Sequence, residues 1–143
     1  MVPFTAGSAT DITARTVFDQ VGKQIGQNFV IENRGGAGTT LGSATVAKAD
    51  PDGYTLLANS TSHVVVASTY LKLSFNVAED FAGISALADM PFVVSTATRY
   101  KTMKDVIDAG KKPGGVILYG SNGPGSSGHL FMERLRLSAG YPV

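Results

Sequence analysis

A chain of 143 residues suits one ordinary domain or part of a larger two-lobed protein, and its 43% hydrophobic content supplies a core, which excludes disorder. A net charge of +1 with scattered Lys and Arg lacks the basic stripe of a nucleic-acid binder, and no apolar run approaches the ~18–20 residues that cross a bilayer. With no cysteine, disulfides, thiolate metal sites and Cys nucleophiles are excluded.

Met1-Val2-Pro3-Phe4 has neither the basic nor the apolar region of a signal peptide and reads as the tail of a strand running into a loop. The next element is a helix, because Ala14, Val17, Phe18, Val21 and Ile25 share one apolar face. Ser8 and Asp11 form its S-x-x-D start and Gly26 its stop. Phe29-Val30-Ile31 is a short β-rich run, followed by the loop Gly35 to Gly38 and a small-residue helix over about Thr39 to Ala49. Asp50-Pro51-Asp52-Gly53 is a turn, since Pro presets φ and Gly tolerates positive φ. Strand Tyr54 to Ala58, loop Asn59 to Ser62 and a short helix around Val64 to Tyr70 follow. Phe81 to Thr96 reads as a strand or strand pair kinked at Pro91. Met103, Val106, Ile107 and Gly110 then mark a helix ended by Lys111-Lys112-Pro113-Gly114. Strand Val116 to Tyr119 enters the loop Gly120 to Gly128, and a final helix carries Phe131, Met132, Leu135 and Ala139 on one side. Tyr141-Pro142-Val143 stops where another strand would begin, so a fragment cut at both ends is expected.

This alternation predicts an α/β fold with a mostly parallel sheet flanked by helices. Ligands of such sheets bind on strand-to-helix loops, which here are rich in Gly, Ser, Thr and Asn. The first, Phe4 to Asp11, opens a helix whose free N–H groups and dipole attract carboxylates or phosphates; simple N-capping by Ser8 or Thr10 is the competing reading. Asp11 is read as a first-turn helix stabiliser. Gly36 to Gly42 imitates a dinucleotide fingerprint, but the third glycine falls one residue late and Asn59 stands where the acidic ribose partner belongs. Gly123 to Leu130 imitates a phosphate loop, with His129 and Leu130 in place of its Lys and Ser/Thr. A nucleotide- or cofactor-dependent enzyme using these loops is the rival reading, and a truncated remnant with no function of its own is the third. No G-x-S-x-G elbow accompanies His63 and His129, which read as structural or hydrogen-bonding residues. Arg34 pairs with an anion, with Glu32 or Asp52, or stays exposed.

Four ordered segments together carry a resemblance. Val2 to Asp11 resembles V-P-F-P-P-G-G-x-T-D of the tripartite tricarboxylate transporter receptors, the Bug family, and Glu32 to Gly38 resembles their E-N-R-P-G-A-G. Ala47 to Leu57 is similar to A-K-A-x-P-D-G-Y-T-L-L, and Tyr119 to Leu130 to Y-A-S-x-G-x-G-S-x-x-H-L. The resemblance implies a periplasmic-binding-protein-like, two-lobe receptor in the periplasm. It would bind a small organic carboxylate and deliver it to a membrane permease, without enzymatic activity, cofactor, nucleic acid or membrane insertion. On that resemblance residues 1–89 belong to lobe one and 90–143 begin lobe two. It places Phe4, Thr5, Ala6, Gly7 and Ser8 on one side of the ligand and Ser121, Ser126, Ser127 and His129 on the other, with Asn59 and Ser60 between. Thr5-Ala6 replaces the usual Pro-Pro, Ser8 a glycine, Gly35 a proline and Gly128 a frequent serine. Family members are about twice this length, consistent with two lobes of ordinary domain size. The isolated chain is therefore expected to be truncated, to fold poorly and to bind negligibly.

Overall fold

A computed structural model describes residues 1–95, 99–121 and 123–141. Helix α1 spans Ala9–Ile25. Ser8, in extended conformation, accepts a hydrogen bond from the Asp11 N–H on its Oγ at 3.3 Å, and Gly26 closes the helix with φ 68°. A single 3₁₀ turn, Ala37–Thr39, leads into α2, Thr40–Ala47. Helices α3 (Ser62–Thr69), α4 (Met103–Gly110) and α5 (Ser127–Ala139) complete the described helices. Thr102 and Asp105 form a full capping box at the start of α4, while Ser126 caps α5 and Gly140 ends it in the left-handed region. Every helix expected from the sequence is present, within a few residues of its expected bounds.

The strands differ from expectation. Among the described residues the β structure is one parallel bridge, between Val2 and Asn33. Val2 N–H donates to the Glu32 carbonyl at 2.7 Å, and Arg34 N–H donates to the Val2 carbonyl at 2.9 Å. On the other side, the Met1 nitrogen donates to the Leu56 carbonyl at 2.8 Å and Ala58 N–H to the Met1 carbonyl at 3.0 Å. Residues 1–2 thus lie between 32–34 and 56–58 in the slanted pattern of a parallel ladder, shortened to its minimum. The expected strands over 29–31, 54–58, 81–95 and 116–119 are not formed, so the described residues show helices and one bridge in place of the expected α/β sheet. The physical reason is that a strand satisfies its backbone groups on a neighbour, whereas a helix satisfies them within itself. Ile84, Val93, Val116 and Leu118, apolar and β-prone, lie largely exposed instead. The expected end of the third strand at Thr96, Asn122 within its loop, and Pro142-Val143 lie outside the described residues.

The buried core sits beneath the bridge. Val2, Phe4, Ala14 and Ala58 pack together with Phe18 and Ile31 against them, so the apolar face of α1 closes on the first residues of the chain. Helix α2 approaches the same segment through Gly42, where an added Cβ would lie 2.8 Å from both the Arg34 carbonyl oxygen and Pro3 Cβ. A second cluster joins His63, Phe75 and Phe81, with the His63 ring edge-on to Phe81 at 4.7 Å. The start of α5 is tied to α3 by a hydrogen bond between the Ser62 and Ser127 hydroxyls at 3.0 Å, and by Thr69 Oγ1 donating to the Gly125 carbonyl at 3.2 Å.

Candidate functional site

The first loop is held by a buried carboxylate. Asp11, 2% exposed, accepts from Gly7 N–H at 2.8 Å, Arg15 Nε at 3.0 Å and Asn33 Nδ2 at 2.9 Å. The Arg15 hydrogen bond, followed by those from Gly7 and Asn33, holds its pKa down at about 2, below the ordinary carboxylate value. Asn33 also donates to the Phe4 carbonyl at 3.2 Å and accepts from Arg15 at 2.9 Å. Asp11 therefore fixes the path of residues 4–8 and joins two sequence motifs about 20 residues apart. The chemistry of its surroundings is that of a positioning group.

That loop borders a cavity of about 510 Å³. Three helix starts converge on it: Ser8, Ala9 and Thr10 of α1, Thr61 and Ser62 of α3, and Ser127 of α5. Residues 85–92 form a further stretch of its wall. The amides of Ala9 and Thr10, first in α1, have no hydrogen-bond partner among the described residues. Among the described residues no Lys, Arg or His lines the cavity. Its described lining is hydroxyls, one amide side chain, backbone and apolar groups, with Asp89 as the one charged side chain.

Of the residues expected at the site, Phe4, Ser8, Asn59, Ser60 and Ser127 line this cavity together. Asn59 is internally committed: its Nδ2 contacts Ser43 Oγ at 3.1 Å and His63 Nδ1 at 3.3 Å, and its Oδ1 accepts from Ser60 N–H at 2.8 Å. Ser60 Oγ accepts from Ser62 N–H. Thr5, Ala6 and Gly7 are exposed and outside the lining. Ser121 lines a second hollow of similar size, bordered by Tyr119, Phe131 and Met132. Ser126 is fully buried as the cap of α5, its Oγ accepting from His129 N–H at 3.3 Å. His129 Nδ1 accepts from Gly125 N–H at 3.1 Å, which turns its ring to the loop. The Arg34 guanidinium contacts Glu32 at 3.5 Å on the surface.

Sequence reasoning missed Ser62, Thr10 and Thr13 as cavity residues. For Ser62 a signal was available, since it closes an Asn-Ser-Thr-Ser run at a helix start. The wall of residues 85–92 carries no such signal, because its apolar pattern reads as a strand.

The two glycine-rich loops meet a side chain. Gly38 and Gly125 both have positive φ, and an added Cβ would lie 3.0 Å from the Tyr70 hydroxyl and 2.7 Å from the Tyr70 ring, respectively. Tyr70 also donates its hydroxyl hydrogen to the Pro124 carbonyl at 3.3 Å. Glycine in both loops is accounted for by the close approach of one tyrosine ring.

The sequence profile of the tripartite tricarboxylate transporter family receptor matches residues 13–143. The chain belongs to this receptor family. Relatives of the receptor run along its whole length. A UPF0065 protein from the TAR-I ttuE-ttuC' intergenic region of Agrobacterium vitis is 36% identical over 145 residues, covering 100% of this chain and 42% of the relative. Protein BugT of Bordetella pertussis is 33% identical over 147 residues, covering 100% of this chain and 45% of its own length. A UPF0065 protein from the tcbD-tcbE intergenic region of Pseudomonas sp. strain P51 is 36% identical over 132 residues, covering 91% and 39%. The chain thus spans less than half the length of these curated relatives. Membership in the tripartite tricarboxylate transporter receptor family carries a periplasmic-binding-protein-like fold, of which the described helices form a part. None of the described helices is long and apolar enough to cross a membrane.

Proposed function

We propose that this chain is the ligand-holding part of a periplasmic solute receptor that captures a small organic carboxylate and delivers it, unchanged, to a membrane permease. One observation carries the reading: three helix starts converge on a cavity whose described lining contains no cationic side chain. Each helix start presents partial positive charge, and the α1 start adds the amides of Ala9 and Thr10, unpartnered among the described residues, so an anion is held by neutral groups. A hydrogen bond to a charged group contributes ~1.5–3 kcal/mol, and several of them bind a carboxylate without a buried arginine. The ligand-contacting residues in this reading are Phe4, Ser8, Asn59, Ser60 and Ser127. Residues 1–89 contribute to lobe one and 90–143 to lobe two, with the cavity between the first loop and the wall at 85–92. The glycine loops support the same reading, because Tyr70 occupies the approaches that a nucleotide phosphate would need.

Thermal unfolding of a full-length receptor carrying this segment, against a panel of mono-, di- and tricarboxylates and aromatic acids, tests the proposal. A carboxylate at 100 times its Kd raises stability by ~2.7 kcal/mol. ATP, NAD and Mg²⁺ leave the transition unchanged. Stabilisation by a nucleotide, or by neutral sugars alone, defeats it.

A further inference from the structure

His63 stands one step behind the cavity: it is absent from the lining, yet it holds Asn59, which belongs to it. His63 Nε2 lies 3.1 Å from the Val77 carbonyl, a group that can only accept, so Nε2 carries the hydrogen. In the neutral ring Nδ1 is then an acceptor, and the group facing it at 3.3 Å is Asn59 Nδ2. The Asn59 amide is oriented independently from its other end, where Ser60 N–H, which can only donate, reaches Oδ1 at 2.8 Å. The second Nδ2 hydrogen goes to Ser43 Oγ at 3.1 Å, on a fully buried residue. Ser60 Oγ in turn accepts from Ser62 N–H at 3.3 Å, which carries the run of hydrogen bonds to the start of α3. Two backbone groups, the Val77 carbonyl and the Ser60 N–H, thus impose one polarity on the whole run. The imidazole is kept from turning by two aromatic rings, Phe75 stacked on it at 6.1 Å and Phe81 edge-on at 4.7 Å.

We infer, resting on the carboxylate-receptor reading above, that His63 is a positioning residue for the ligand cavity. Its neutral Nε2–H form sets the Asn59 side chain and, through it, the 59–62 segment of the cavity wall. Both hydrogens of Asn59 Nδ2 are committed to His63 and Ser43, so Asn59 serves the cavity by placing that segment. Ligand affinity therefore depends on the segment 75–81, which touches the cavity nowhere and holds the histidine through Val77, Phe75 and Phe81.

Two complementary substitutions, made in a full-length receptor carrying this segment, separate this role from packing alone. In His63→Asn the shorter amide reaches the place of Nδ1, so it keeps an acceptor for Asn59 and loses the contact with Val77. In His63→Gln the longer amide reaches the place of Nε2, so it keeps a donor for Val77 and loses the acceptor for Asn59. Isothermal titration with acetate, succinate, citrate and benzoate as probes should show affinity about ten-fold weaker in His63→Gln, the scale of one lost hydrogen bond, and within about two-fold of the parent in His63→Asn. Equal weakening in both variants, or none in His63→Gln, overturns the inference and leaves the carboxylate reading intact. Proton–nitrogen correlation NMR of the unaltered protein decides the matter even where neither variant folds. The His63 hydrogen is expected on Nε2, and finding it on Nδ1 overturns the inference. Binding of none of the four probes overturns both readings.

Discussion

Replacing Gly42 with alanine probes the contact on which the cavity wall rests. The new Cβ would lie 2.8 Å from the Arg34 carbonyl oxygen, 2.8 Å from Pro3 Cβ and 3.0 Å from Pro3 Cα. Carbon–carbon contacts are most favourable near ~3.5–4.0 Å, so the helix must retreat by roughly 1 Å. The neighbours cannot yield easily: Arg34 N–H donates to the Val2 carbonyl, and Pro3 follows Val2 directly in the bridge. Overpacking of this kind costs ~1–3 kcal/mol. Alanine returns ~0.5–1 kcal/mol over glycine as a helix residue, and less this close to the start of α2. The net loss is therefore ~1–2 kcal/mol. With a urea m-value of ~1–3 kcal/mol/M for a small protein, the midpoint should fall by ~0.5–1 M. Gly83→Ala is the matched control, because a Cβ there meets nothing within 4 Å, and it should stay within ~0.5 kcal/mol of the parent. Pro3 precedes Phe4, so Gly42→Ala should also weaken carboxylate binding. If Gly42→Ala is as stable as Gly83→Ala, the close helix approach does not support the site and the argument is wrong.

Asp11 titrates with a folded pKa of about 2, below the ~3.9 of an unfolded aspartate, so its stabilising effect is complete above about pH 4 and is lost as pH falls through 2. Denaturation midpoints of the parent and Asp11→Asn should therefore converge on acidification through that window, and a constant gap would contradict the arrangement around Asp11. Ser62→Ala removes the hydroxyl that contacts Ser127 Oγ and accepts from Ser127 N–H, at a buried position. It should cost ~1–2 kcal/mol in urea unfolding and lower carboxylate affinity; unchanged stability and affinity would show that α5 is not held to α3 through this contact. The exposed Ile84, Val93, Val116 and Leu118 predict self-association of the 143-residue chain with rising concentration. Size-exclusion chromatography giving one concentration-independent monomer, with a sharp unfolding transition, would refute that.

What could be read from the residues alone divides along one physical line. Ser8 with Asp11, Gly26, and the Met103–Gly110 face announce their helices because a helix makes its hydrogen bonds and caps within a few neighbouring residues. The family motifs were equally legible, and with them the expectation that Phe4, Ser8, Asn59, Ser60 and Ser127 belong near one another. The strands were not, because apolar alternation says that a segment wants a partner and never whether one lies beside it; among the described residues only Val2 and Asn33 make a bridge. The glycine loops were ambiguous for a related reason. A glycine spacing records that something approaches the backbone closely, and only the folded chain reveals that at Gly38 and Gly125 it is the ring of Tyr70. Ser126 and His129 look like ligand donors in a list of residues, yet their positions relative to α5 turn one into its buried cap and the other into an acceptor for Gly125.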